Sequence, residues 1–340
     1  MIMNINSCST NYEKDLLIIS HNEGQTGFRL SDGIKIVAWE SDRPISCSSL
    51  LNKTNIMAYV NKDEPNIVII QNDKDPNEKY ENSFADEIRN IILTMTHVIV
   101  VLDGSIGLCT FAGKFQDSKA TGENSRGLCG IYLKPYGGNR NNDDVCYDEF
   151  IIITLGLEKG TIALWNKITG HYREVKCHQG EIEALTVSKS GKYFATASEN
   201  GTLLKIFEFD TSDLSVAMKK EFRRGTNILS STGIHDISIS ANDKYIACTS
   251  TNQTAHIYCI DDDVENINKN TKSAFSFVGS IFPYYNSEWA CVKHEVPFSG
   301  FLYCIFDNYD SLHVISTEGA EHLTISGSSF ETTRAVKFIL

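Results

Sequence analysis

One theme recurs seven times in this chain: two short runs of strand-forming residues joined by a small polar turn. It appears in GFRLSDGIKIVAWE (Gly27 to Glu40), IMAYVNKDEPNIVIIQN (Ile56 to Asn72) and HVIVVLDGSIGLCTF (His97 to Phe111), then in FIIITLGLEKGTIALWN, YFATASENGTLLKIFEF, YIACTSTNQTAHIYCI and LYCIFDNYDSLHVIS. In the clearer copies a third strand precedes the pair, as with EIEALTVS (Glu181 to Ser188) and GIHDISIS (Gly233 to Ser240). Each unit thus offers at least three strands over roughly 40 to 55 residues, the period of propeller blades built from short antiparallel strands. Radial closure hides the edges of so many small sheets. Two packed β-sandwiches are the competing arrangement, but a sandwich has no need of the same pair seven times. The expectation is an all-β fold, one seven-bladed β-propeller of WD-repeat type over residues 1–340.

The chain has 340 residues, 41% of them hydrophobic and 22% charged, which supplies ample apolar material for such a core. Its length alone would also suit two domains. No stretch approaches the roughly 18 consecutive apolar residues of a transmembrane helix, and the start MIMNINSCSTNYEKD lacks the basic and then apolar run of a signal peptide. A cytosolic protein is therefore expected. Ten cysteines fall mostly within apolar or alternating runs, without paired CxxC spacing, and read as reduced, largely buried thiols. A net charge of −12 argues against broad nucleic-acid binding, so any affinity for an anionic surface must be local.

Two interruptions break the repeat. AGKFQDSKATGENSRG and KPYGGNRNNDDV are polar and rich in Gly and Asn, with LCGIYL between them, and read as exposed loops around one strand. The second, residues 261–286, begins acidic (DDDVENINKNTKS) and turns aromatic (AFSFVGSIFPYY), a distribution that a purely solvated loop does not need.

The stretch EFRRGTNIL sets Arg223 beside Arg224. Successive side chains of a strand point to opposite faces, so two neighbouring guanidinium groups would serve two separate anion pockets. Arginine offers a permanent charge and a planar fork matched to phosphate oxygens. In isolation such a pair more often makes one local salt bridge and leaves one solvated side chain. The flanking blades alter that reading, because each supplies small hydroxyls with a cation or imidazole: Thr196, Ser198, Thr202 and Lys205 before the pair, Ser250, Thr254 and His256 after it.

In this order ATASENGTLLKIF, EFRRGT, TSTNQTAHIY and KSAFSFVGSIFPYYNSEW resemble the PROPPIN family, WD-repeat-like propellers that bind polyphosphoinositides and include the WIPI proteins of autophagy. Weaker likeness reaches forward to EIRNIILTMTHVIVVLDGSI and GFRLSDGIKIVAWE. The resemblance implies a first pocket of Arg223 with Ser198, Gly201, Thr202 and Lys205, with Thr196 nearby, and a second of Arg224 with Ser250, Thr254 and His256. It implies phosphatidylinositol 3-phosphate or the 3,5-bisphosphate as ligand. Lys205 departs from the family's usual arginine and brings a point charge without the bidentate fork. The resemblance also implies a membrane-facing loop at 261–286 in blade six. There Phe275, Phe277, Val278, Ile281, Phe282, Tyr284 and Tyr285 would enter the interface, DDDVE would stay in water, and Trp289 would begin the following strand.

An enzyme is the poorer reading. Nine histidines and 43 acidic residues provide raw material, yet there is no nucleophile elbow, phosphate-binding glycine loop or HExxH pair. No metal or cofactor is expected. A protein-binding scaffold is the stronger rival, since a propeller by itself says little about ligand. The expected protein is a phosphoinositide-dependent adaptor that recruits lipid-transfer or conjugation machinery to autophagosomal precursor, endosomal or vacuolar membranes.

Overall fold

Short alternating runs bounded by Gly, Asn and Asp turns are strand signals, and every regular element among the described residues of the computed structural model is a strand. Those residues are 5–134, 149–224, 233–261, 271–272, 288–326 and 329–336. The strands form seven sheets, antiparallel but for one parallel pair, and these are the blades of a seven-bladed β-propeller. By internal contacts the chain divides into two compact units, one chiefly Met1–Glu158 with Ala163–Tyr172, the other Lys159–Ile162 with Arg173–Ile339.

In the first unit, blades one to three are up-and-down sheets of four strands, beginning at Ile5–Thr10, Ile45–Leu50 and Ile88–Leu93. Their middle strands are the most buried: Val98–Leu102 and most of Ser105–Cys109 are sealed between layers. Val98 and Val100 point to a cluster shared with Val60, Val68 and Ile70 of blade two, while Ile99 and Val101 point the other way, towards Phe150 and Trp165. This is the period-2 alternation expected of a strand buried on both faces.

Two sequence expectations need correction here. The first repeated pair, Gly27 to Glu40, covers the third and fourth strands of blade one rather than the second and third, because the polar opening strand Ile5–Thr10 (INSCST) gives no apolar alternation. Within the supposed loop AGKFQDSKATGENSRG, Phe115–Ala120 is the outer strand of blade three, paired with Ser105–Cys109. Five of its six residues are exposed, so it carries no burial pattern to read. LCGIYL does contain a strand, Cys129–Lys134.

The second unit holds blades five, six and seven. Blade five runs Ile182–Val187, Tyr193–Ser198, Leu203–Phe209 and Val216–Arg223. Blade six runs Ile234–Ile239, Tyr245–Ser250, Thr254–Cys259 and, after the long insertion, Val292–Glu295. One apolar layer joins them, including Tyr193, Leu204, Ile206, Phe222, Ile237, Ile246, Cys248 and Tyr258. The Phe222 and Tyr258 rings stack at 4.9 Å between centroids. A second layer joins blade six to blade seven through Tyr245, Ile257, Phe298, Leu302, Phe306 and Val314.

The insertion has a described root. Glu288–Trp289 pairs in parallel with the outer strand of blade five, Phe222 against Glu288 and Arg223 against Trp289, and Thr271–Lys272 pairs with it in turn. Trp289 therefore lies in a strand as expected, but one that extends blade five; the strand that completes blade six starts at Val292.

Candidate phosphate site between two blades

The two hairpins flanking the arginines are built alike. In blade five the turn SENGT is closed by the Gly201 N–H on the Ser198 carbonyl (2.8 Å), with Gly201 at φ +60°, a left-handed conformation that suits glycine. In blade six STNQT is closed by the Gln253 N–H on the Ser250 carbonyl (2.9 Å), with Gln253 at φ +56°. The strand registers then fix what faces what. Thr196, two residues before the hairpin serine, pairs with Lys205; Cys248, also two residues before its serine, pairs with His256. Lys205 and His256 thus hold corresponding positions. Thr202 and Thr254 do not, since the blade-five turn is one residue longer and Thr254 sits directly across from Ser250, their hydroxyls 3.1 Å apart.

Around the first set the chain gathers more than the sequence suggested. Thr196 is fully buried and its hydroxyl lies 2.9 Å from His178 Nε2. Lys205 donates to the Cys177 carbonyl at 3.0 Å and lies 3.7 Å from Glu221, its own cross-strand partner. Burial, with the Lys205 charge beside it, lowers the His178 pKa to about 4, so the ring is neutral at pH 7. His178 was not among the residues expected from sequence. It precedes the first strand of blade five in KCHQGEIEAL, where it belongs to no run of period 2. The weak signal available was the histidine that WD-type repeats place before their strands. Its seat is tight: Gly160 has φ +69°, and a Cβ there would come within 2.2 Å of the His178 carbonyl oxygen.

The second set is walled by blade six. Ser250, Thr254 and His256 are all buried. Burial and then the Arg224 charge lower the His256 pKa to about 4, with Lys293, its partner on the outer strand, adding a smaller push. Arg224 lies just past the end of its strand, where its N–H reaches the Thr202 carbonyl and its Nε the Gly201 carbonyl, each at 2.9 Å. It is 8% exposed, so its side chain is buried rather than solvated. Its backbone and Nε are held by blade five while its charge acts on His256 and Cys248 of blade six.

Arg223 is half-buried. Its backbone pairs with Leu203 on one side and Trp289 on the other, and its carbonyl accepts the Tyr258 hydroxyl at 3.4 Å. The structure thus brings Thr196, Lys205 and His178 together, sets Ser250 beside Thr254 and Arg224 by His256, and gives the Gly201 carbonyl to Arg224 rather than to Arg223. Gly225 and Phe275, Phe277, Val278, Ile281, Phe282, Tyr284 and Tyr285 lie outside the described residues.

Each set combines a neutral buried imidazole, at least one small hydroxyl and a basic side chain. Such groups can donate several hydrogen bonds to one phosphate while a neighbouring charge offsets its own. A different cluster could be mistaken for a metal site. Asp307, His313 and His322 present ligand atoms within 4.8 Å of one another. The two rings, however, stack at 4.5 Å and 15°, so their in-plane lone pairs run side by side rather than converge. Asp307 instead binds His313 Nε2 at 3.1 Å and the N–H groups of Tyr309 and Ser311, which fits a hairpin clamp.

Comparison with known proteins agrees with the resemblance in the motifs. The family described as PROPPIN matches residues 45–287. Autophagy-related protein 18e of Arabidopsis thaliana is 24% identical over 93% of this chain and 76% of its own length. Autophagy-related protein 18 of Scheffersomyces stipitis is 23% identical over 80% of this chain, which spans only 53% of that protein. Among solved structures, Kluyveromyces lactis Hsv2 superposes with a TM-score of 0.73 at 17% identity, over 98% of this chain and 99% of that one. An Atg21 solved with the coiled coil of an Atg16 gives a TM-score of 0.68 at 15% identity over 99% of this chain and all of the other. At those identities the structural likeness concerns the fold.

Proposed function

We infer a function from the fact that this chain belongs to the PROPPIN family: it is a phosphoinositide-binding membrane adaptor of autophagy, without catalytic activity. Its ligand is phosphatidylinositol 3-phosphate, the 3,5-bisphosphate, or both, held at two pockets on either side of the Arg223–Arg224 pair. The first pocket uses Arg223, Thr196, Ser198, Gly201, Thr202 and Lys205, with His178 added; the second uses Arg224, Ser250, Thr254 and His256. Residues 261–286, inserted before the last strand of blade six, face the bilayer through their aromatic half. The adaptor is recruited peripherally to autophagosomal precursor, endosomal or vacuolar membranes and brings lipid-transfer or conjugation proteins with it. An Atg21 in complex with an Atg16 coiled coil supports a partner of that kind.

The observation that carries the reading is the pairing of two like sets, each a neutral imidazole with hydroxyls and a cation, in consecutive blades. A scaffold that binds only proteins has no need to bury two uncharged histidines beside cations. Liposome flotation across a series of lipid compositions tests it. Binding should require a phosphoinositide and disappear when Arg223 and Arg224 are both changed to Thr, with the melting temperature monitored in parallel. Flotation indifferent to phosphoinositide would leave the scaffold reading in its place.

A further inference from the structure

Cys259 ends the third strand of blade six, and Cys291 stands immediately before the fourth. In sequence they bracket the whole insertion. In space their sulfurs lie 3.7 Å apart, in van der Waals contact. The strand pairing fixes that proximity, since Ile257 pairs with Val292 and the Cys291 N–H binds the Ile257 carbonyl at 2.9 Å. The Cys291 thiol reaches the same carbonyl at 3.1 Å. Both sulfurs are thiols in this structure, and closing 3.7 Å to the roughly 2.05 Å of a disulfide needs side-chain rotation rather than movement of a sheet.

We propose that Cys259 and Cys291 are a redox-sensitive pair that a peroxide converts into a disulfide, stapling the two ends of the blade-six insertion together. The surroundings suit the chemistry. The contact with Cys291 holds the Cys259 pKa down and outweighs its burial, with the Lys220 ammonium adding to the effect, while the same contact and burial push Cys291 up. Cys291 is the half-buried member, and Cys259 is 2% exposed. The Cys259 thiolate attacks one peroxide oxygen and breaks the O–O bond, giving a sulfenic acid and hydroxide; the hydroxide takes up the proton that Cys259 released. The Cys291 sulfur then attacks the sulfenic sulfur, the S–S bond forms, and the remaining oxygen leaves as water with the Cys291 proton. Two thiols are oxidised by two electrons and one peroxide is reduced to two waters.

The proposal does not depend on what the head-group pockets bind. The test treats the folded full-length chain with hydrogen peroxide, blocks remaining thiols with N-ethylmaleimide, digests without reduction and maps the peptides by mass spectrometry. The expected result is a Cys259–Cys291 cross-link, equal loss of both residues from the alkylated pool, and full reversal by dithiothreitol. Cys259→Ser and Cys291→Ser should each abolish the link. Oxidised wild type should melt above its reduced form, and the two variants should show no such shift. Three outcomes would overturn the proposal, and wild type alone decides among them: both thiols remaining alkylatable, Cys259 proceeding to sulfinic acid without a link, or a link between Cys248 and Cys304 instead. That rival pair is less suited, since burial pushes both thiols up, Cys248 to about 12.

Discussion

Acidification should unfold this propeller through two particular imidazoles. His178 and His256 each titrate near 4 in the folded chain, against an ordinary value of 6.5. Between those values the unfolded chain binds more protons, so stability is full above about pH 6.5 and is lost as pH falls towards 4. At pH 5 the unfolded imidazole is almost fully protonated and the folded one almost wholly neutral. The difference amounts to about 2 kcal/mol for each ring, or about 4 kcal/mol for both, a large share of a typical domain's stability. Urea unfolding at pH 7.5 and pH 5 measures it in wild type, His178→Gln, His256→Gln and the double variant. His21 and His97 are also lowered by burial and add to the wild-type loss, so the difference between chains carries the number. Each single variant should recover about 2 kcal/mol of the wild-type loss, and the double variant about twice that. If the double variant loses as much stability between the two pH values as wild type does, the buried-imidazole account is wrong.

Arg224→Ala should cost about 1–3 kcal/mol by stranding the Gly201 carbonyl, and should raise the His256 pKa, read by NMR titration; an unchanged His256 would mean the two are not electrostatically joined. Gly160→Ala should destabilise by about 2 kcal/mol or more, because it combines a left-handed backbone with a clash against His178, and it should weaken head-group binding together with stability; thermal melts and calorimetry check both. Lys205→Arg supplies the missing fork and should tighten binding of a soluble inositol 1,3-bisphosphate, unless Glu221 captures the new side chain, in which case calorimetry will show no gain. Changing Phe277 and Phe282 to Ser should weaken liposome flotation and leave soluble head-group binding intact, whereas equal loss of both would assign those rings to the fold.

Most of the blade plan was readable because middle strands are buried on both faces. Tyr193–Ser198 and Thr254–Cys259 are solid blocks of buried residues, and their hairpin turns announce themselves. Outer strands such as Phe115–Ala120 are legible only once a neighbour supplies the ladder, since their own side chains are exposed. The same divide runs through the site. Arg223, Arg224 and the hairpin hydroxyls stand out as residue types at a spacing. By contrast His178, the claim of Arg224 on Gly201 and the Glu221 beside Lys205 depend on register and on turns one residue longer or shorter, which no local pattern encodes.

The placement of the blade-six insertion also sets a timetable for synthesis. Thr254–Cys259 needs Val292–Glu295 as its outer neighbour, yet the ribosome must add the whole intervening segment before that strand exists. At about 5–20 residues per second the delay is roughly 2 to 7 seconds. During that interval one edge of Thr254–Cys259, with its row of backbone donors and acceptors, has no partner strand, and such edges invite pairing with other chains. The nascent protein is therefore most exposed to aggregation just after its arginines have emerged, and a holding chaperone would matter more at that moment than for the finished fold.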